Sequence, residues 1–192
     1  MLRKMLDSCA VLFCAGALAG CQQTASPFQA GGDATILAAG FKMTETPRQA
    51  APSGALAAYV CPVERCGALV VLVVGAKKFD APPSTGLTAE QAIKSGIFRE
   101  TKLRSLMEEK FLSSFSAAAA RANSQQGNNL TQFALDTRSA ALRFSGVVTS
   151  PLTEPLRYSG YGRFVGNEMH VIVAVAKSLA AARRYARVDW LP

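Results

Sequence analysis

The chain reads as an α+β fold, an antiparallel sheet packed with a long central helix and a C-terminal helix. Three observations predict it. Two segment pairs, Ala55–Cys61 with Ala68–Phe79 and Leu156–Val165 with Met169–Ala176, read as strands joined by short turns. Between them, Glu100–Asn123 repeats apolar residues every three or four positions, the period of a helix. After the second pair, Ser178 opens another amphipathic segment that carries Trp190. The element order is therefore strand, hairpin, long helix, antiparallel strands, hairpin, helix.

Residues 1–20 stand apart from that fold. Arg3 and Lys4 precede the apolar run Cys9–Leu18, and small residues follow, which are the three parts of a signal peptide. The run is too short to cross a bilayer, which takes about 20 helical residues. Leu18-Ala19-Gly20-Cys21 closely resembles the lipobox of bacterial lipoproteins. The resemblance implies that Cys21 receives a diacylglycerol, the chain is cut before it, and its new amino group takes a further acyl chain such as palmitate. Several chains make a stable anchor, whereas one holds only marginally. Gln22, where Asp would favour inner-membrane retention, implies the outer membrane, facing the periplasm. The alternative is an ordinary secreted protein with a cysteine beside its cleavage site. The expected organisation is a signal peptide over 1–20, a lipidated flexible tether over 21–35 and one globular domain over 36–192.

Charge and cysteines follow from that cut. The chain holds 21 Lys and Arg against 13 Asp and Glu, a formal charge of +8. Losing Arg3, Lys4 and Asp7 lowers it by one. Such a balance suits a membrane reached through the lipid anchor, envelope proteins, or anionic envelope polymers. Solubility alone is the plainer reading. Nucleic acid is excluded as a partner by compartment and by the lack of a motif. Of five cysteines, Cys9 and Cys14 leave with the signal peptide and Cys21 takes lipid. Cys61 and Cys66 remain as one pair in an oxidising compartment, so a disulfide is expected. Their spacing is not that of a redox pair. Two thiols and His170, the single histidine, are too few for a metal site.

In chain order, Gln22–Thr35 is small and polar, as a tether requires. Ile36–Met43 reads as a first strand, and Thr46–Gly54 as a loop by its prolines and glycine. Ala55–Cys61 and Ala68–Phe79 pair around Pro62–Arg65, and Leu69–Val74 is apolar on both faces, as in a covered central strand. Thr88 with Gln91 forms a capping box for a short helix that Gly96 interrupts. In the long helix Leu103, Leu106, Met107, Phe111, Phe115, Ala118, Ala119 and Ala122 form the apolar face, opposite Glu100, Arg104 and Glu108. Thr131–Ser150 is strand-like but changes parity, since Phe133 and Leu135 are odd while Leu142, Phe144 and Val148 are even. A bulge or tight turn near Asp136–Ser139 reconciles the two. Pro151 and Pro155 bound a loop, and Gly166-Asn167 is the strongest hairpin signal in the chain. Ser178 caps a final helix with Leu179, Ala182, Tyr185, Ala186 and Trp190 inward and Arg183, Arg184 and Arg187 outward.

Chemistry-bearing clusters are sparse. A Ser/His/Asp arrangement would need His170, which lies mid-strand among valines and reads as a structural histidine. Glu108 and Glu109 are adjacent on a helix and diverge, so they make no acid/base dyad. Gly160-Tyr161-Gly162 lacks the third glycine of a dinucleotide loop. No catalytic residue, metal ligand or cofactor is therefore assigned. Arg183, Arg184 and Arg187, with Arg157 and Arg163, form the candidate anion-binding surface, for which a solvated helix face is the plain alternative.

With Phe41-Lys42-Met43 near the start, and the hairpin from Arg157 to Ala176 running into the last helix, the element order weakly resembles the PsbP-like fold over residues 36–192. That resemblance implies an α+β fold and is compatible with non-enzymatic envelope proteins. The leading expectation is a membrane-anchored lipoprotein of the cell envelope acting as a non-enzymatic binding or scaffolding module. An enzyme with an inconspicuous site and a carrier of an apolar ligand are the alternatives. A deep polar pocket at His170 or the arginines would favour the enzyme, a flat exposed patch the scaffold, and an internal apolar cavity the carrier.

Overall fold

The computed structural model describes residues 32–43, 55–79, 85–108, 127–150 and 153–191. Among them, seven strands form one antiparallel sheet in the order β1-β2-β3-β7-β6-β5-β4. The strands are β1 (Lys42–Met43), β2 (Ala55–Cys61), β3 (Val70–Lys78), β4 (Gly127–Asp136), β5 (Ala141–Ser150), β6 (Thr153–Val165) and β7 (Glu168–Ala176). The helices are α1 (Gly32–Ala38), α2 (Val63–Cys66), α3 (Ala89–Lys94), α4 (Glu100–Leu106) and α5 (Leu179–Tyr185), followed by a 3-10 turn at Val188–Trp190.

Helices cover the sheet from both sides. On one face, Ile93 of α3, Phe98 and Leu103 of α4 pack with Leu142, Phe144, Tyr158, Phe164 and Met169. On the other, Ile36, Phe41, Ala182 of α5 and Trp190 pack with Tyr59, Leu72, Ile172 and Ala174. Strands β3 and β7 sit between these layers. That burial explains why neither shows a simple polar and apolar alternation.

The expected first strand at Ile36–Met43 is corrected. Only Lys42–Met43 is extended, and Ile36 lies in α1. Gly40, at φ +94°, stops the helix in a left-handed conformation that suits glycine. Its N–H donates to the Leu37 carbonyl at 3.0 Å, and that of Phe41 donates to Ile36 at 3.4 Å. These two bonds are the Schellman arrangement, with Ile36 and Phe41 buried together beside them.

Other expectations meet the structure directly. Thr88 and Gln91 form the reciprocal capping box, at 2.9 and 3.2 Å. Gly96 takes φ +76° just beyond α3. The parity change is a tight turn at residues 137–140 between β4 and β5, and β4 also bulges between Leu130 and Gln132. Asp136 builds that turn by accepting from the Arg138 N–H at 3.0 Å and the Ser139 hydroxyl at 2.6 Å. Gly166-Asn167 closes the β6–β7 hairpin with positive φ at the glycine alone, the pattern of a type II′ turn. Strand β6 starts at Thr153, so Pro155 lies within it, beside the register shift between Val148 and Ser150 where no ladder donor is needed.

The long central helix is not shown. Helix α4 spans Glu100–Leu106, with Leu103 and Met107 buried as its spacing predicts. Arg104 and Glu108 pair at 3.2 Å on its exposed side. Phe111, Phe115, Ala118, Ala119 and Ala122 lie outside the described residues, as do Cys21 and the other residues read as signal peptide. Cys61 and Cys66 form the expected disulfide, their Cα atoms 6.0 Å apart across the turn that contains α2.

Candidate functional site: a groove beside the last helix

Helix α5 packs on the sheet through buried Ala182, with Tyr185 packed against the same layer. Ala182 is fully buried, and Ser178 caps the helix by accepting from the Ala181 N–H at 3.1 Å. It packs over β3, β7 and β6. Beyond it, the same sheet face carries the polar parity of β4, β5 and β6. Ser145 pairs in register with Gln132 and Ser159, and Arg143 with Ala134 and Tyr161.

These residues and Arg183, reaching across from α5, line a groove of about 490 Å³. Ser145 and Ser159 form its floor and are each only 3% exposed. A buried hydroxyl costs free energy unless it finds a partner. Ser145 finds one, donating to Oε1 of Gln132 at 3.1 Å. The Arg183 guanidinium donates to the same oxygen at 2.6 Å. Arg143 stacks on Tyr161, its Cζ 5.0 Å from the ring centre. Two cations and two recessed hydroxyls thus border one opening. That set can hold a polar ligand through its acceptor oxygens.

The five arginines singled out in the sequence differ in their surroundings. Arg183 enters the groove. Arg157 and Arg163 share its sheet face on β6, one residue pair to either side of Ser159 and Tyr161. Arg184 stacks on Tyr185 at 5.5 Å, and Arg187 on Trp190 at 5.8 Å. Arg187 is also spent on Asp189, at 2.8 and 3.1 Å. His170 lies outside the groove, in register with Arg163 and Ala76. It is buried, with Nε2 3.7 Å from a Glu168 carboxylate oxygen and no partner for Nδ1 among the described residues. Among those residues, no three His, Cys, Asp or Glu side chains gather to hold a metal.

Sequence reasoning missed Gln132, Arg143, Ser145, Ser159 and Tyr161 as site residues. A signal was present. Arg143 and Ser145 alternate with Leu142 and Phe144, as Ser159 and Tyr161 do with Tyr158 and Gly160. Pairing those strands puts both polar sets on one face. No protein-family model matches this chain, and no curated protein is significantly similar to it.

Proposed function

We propose that this chain is a lipid-anchored binding module of the bacterial cell envelope, held at the outer membrane by acylated Cys21 and binding a polar ligand in the groove beside α5. The observation that carries the reading is the convergence of Arg183 and buried Ser145 on one oxygen at an open groove. A recessed groove that carries polar side chains favours ligand binding over a purely flat scaffold. The groove converges on an arginine, which is one mark set for an enzyme. An enzyme would also need a group to activate Ser145 or Ser159. Among the described residues lining the groove there is no histidine, carboxylate or lysine.

Native mass spectrometry of the full chain drawn from its own membranes tests the reading. A bound small molecule is expected on the wild type and lost on Arg183→Ala. The binding role fails if the two spectra match. Palmitate labelling tests the anchor separately, and incorporation that persists in Cys21→Ala removes it.

A further inference from the structure

We infer that the groove receives an anionic oxygen, from a carboxylate or a phosphate, at the point now held by Oε1 of Gln132, and that Gln132 is an internal surrogate which the ligand displaces. The inference rests on the groove being the ligand site. Oε1 accepts from Arg183 at 2.6 Å and from Ser145 at 3.1 Å. An arginine N–H bonds most strongly to a charged oxygen, roughly twice as strongly as to a neutral one. An amide oxygen is therefore a weaker occupant of this position than a carboxylate or phosphate oxygen.

Among the described residues neither donor pairs with a carboxylate, whereas the acceptor sits on an exposed side chain that can swing away. Among the described residues, Arg183 has no carboxylate within ion-pair distance, unlike Arg104 with Glu108 or Arg187 with Asp189. Ser145 is buried on β5, between its register partners on β4 and β6. Gln132 sits on β4, the edge strand, immediately after the bulge, with an exposed side chain. Swinging outward returns its amide to water, which satisfies it at little cost. Arg143, stacked on Tyr161 at the same groove, adds a second positive charge to favour an anion there.

The test is an NMR titration of the full chain, following the Arg183 side chain and the Ser145 amide. Inorganic phosphate and sodium acetate are added separately, with sodium chloride at equal ionic strength as the comparison. Phosphate or acetate, but not chloride, is expected to move both signals. Which anion acts distinguishes the two ligand sources. Gln132→Ala removes the surrogate and is expected to tighten binding by about 2- to 10-fold, the worth of one neutral hydrogen-bonded occupant. Gln132→Glu puts a carboxylate on the same donors and is expected to weaken binding by about 10-fold or more. Wild-type binding that is unchanged or weakened by Gln132→Ala overturns the surrogate and leaves the groove as the ligand site. No localised shift with either anion in any of the three proteins overturns both readings.

Discussion

Glu90 and Gly166 exchange two hydrogen bonds, and through them the first turn of α3 is bolted to the β6–β7 hairpin. The Glu90 N–H donates to the Gly166 carbonyl at 2.9 Å, and the Gly166 N–H donates to the Glu90 carboxylate at 2.8 Å. Asn167 completes the joint. Its side chain accepts from the Ala89 N–H at 2.7 Å and its carbonyl from the Phe79 N–H at 2.8 Å. The turn thus fixes both the sheet register and the position of a helix over the core.

This joint makes stability depend on acid. A hydrogen bond from Lys94, then one from the Gly166 N–H, holds the Glu90 carboxyl below its ordinary value of 4.5. A carboxyl with a lowered folded-state pKa contributes stability that is full above its unfolded value and lost as pH falls through the folded one. Because the carboxylate is partly exposed, water and salt screen the Lys94 pair. Glu90→Gln is therefore expected to cost about 0.5–1 kcal/mol near neutral pH. That difference should shrink as pH falls from 4.5 through the lowered folded-state value. Urea unfolding at neutral pH and across that acid range measures it, and a deficit independent of pH would count against the carboxylate as its source.

Gly160 is expected to tolerate no side chain. A Cβ built there would fall well inside contact distance of the Phe144 ring, which lies across it from β5. Phe144 is 1% exposed and has no room to withdraw without disturbing Tyr158, whose ring centre is 6.3 Å away. Gly160→Ala should cost about 1–3 kcal/mol, the usual range for overpacking. Adding Phe144→Leu should recover part of that loss, as a double-mutant cycle read by urea unfolding would show. Strict additivity would mean that the ring is not the obstacle.

What was legible in the sequence had a local cause. Thr88 and Gln91 form their capping box within one turn of chain, and Gly166-Asn167 sets its own hairpin. Helix α1 was harder to read because Gly32, Asp33 and Thr35 are weak helix formers. Its stability comes from Ile36 and Phe41 packing into the layer that contains Trp190, which lies far along the chain. The closure of the groove by Arg183 was illegible for the same reason. Arg183 and Gln132 are 51 positions apart and meet only because α5 crosses the sheet beside β4 and β5.

Gly40 tests the stop signal of α1. Alanine at φ +94° is strained, and its Cβ would also lie 3.3 Å from the Arg65 side chain. The expected cost of Gly40→Ala is about 1–2 kcal/mol, from the left-handed backbone. Hydrogen exchange at the Phe41 amide, which closes the Schellman bond, should accelerate together with that loss. Unchanged exchange there would show that Gly40 does not hold this helix end.

The disulfide is expected to hold more than its own short loop. Cys61 ends β2, Cys66 ends α2, and the Cys66 carbonyl accepts from the Tyr185 hydroxyl at 3.2 Å. Tyr185 in turn meets Phe41 edge-on at 5.5 Å, so the turn, the last helix and α1 share one contact set. Replacing both cysteines by alanine should cost about 2 kcal/mol through loop closure alone, small because only five positions separate them. Loss of the fixed Cys66 carbonyl should also raise exchange in α5 above that of α3, which packs on the other face of the sheet. A stability loss spread evenly over both helices would mean that the bridge acts on the unfolded chain and does not position α5. Titration of the oxidised, unfolded chain should find no free thiol from Cys61 or Cys66, and detecting two would remove the bridge itself.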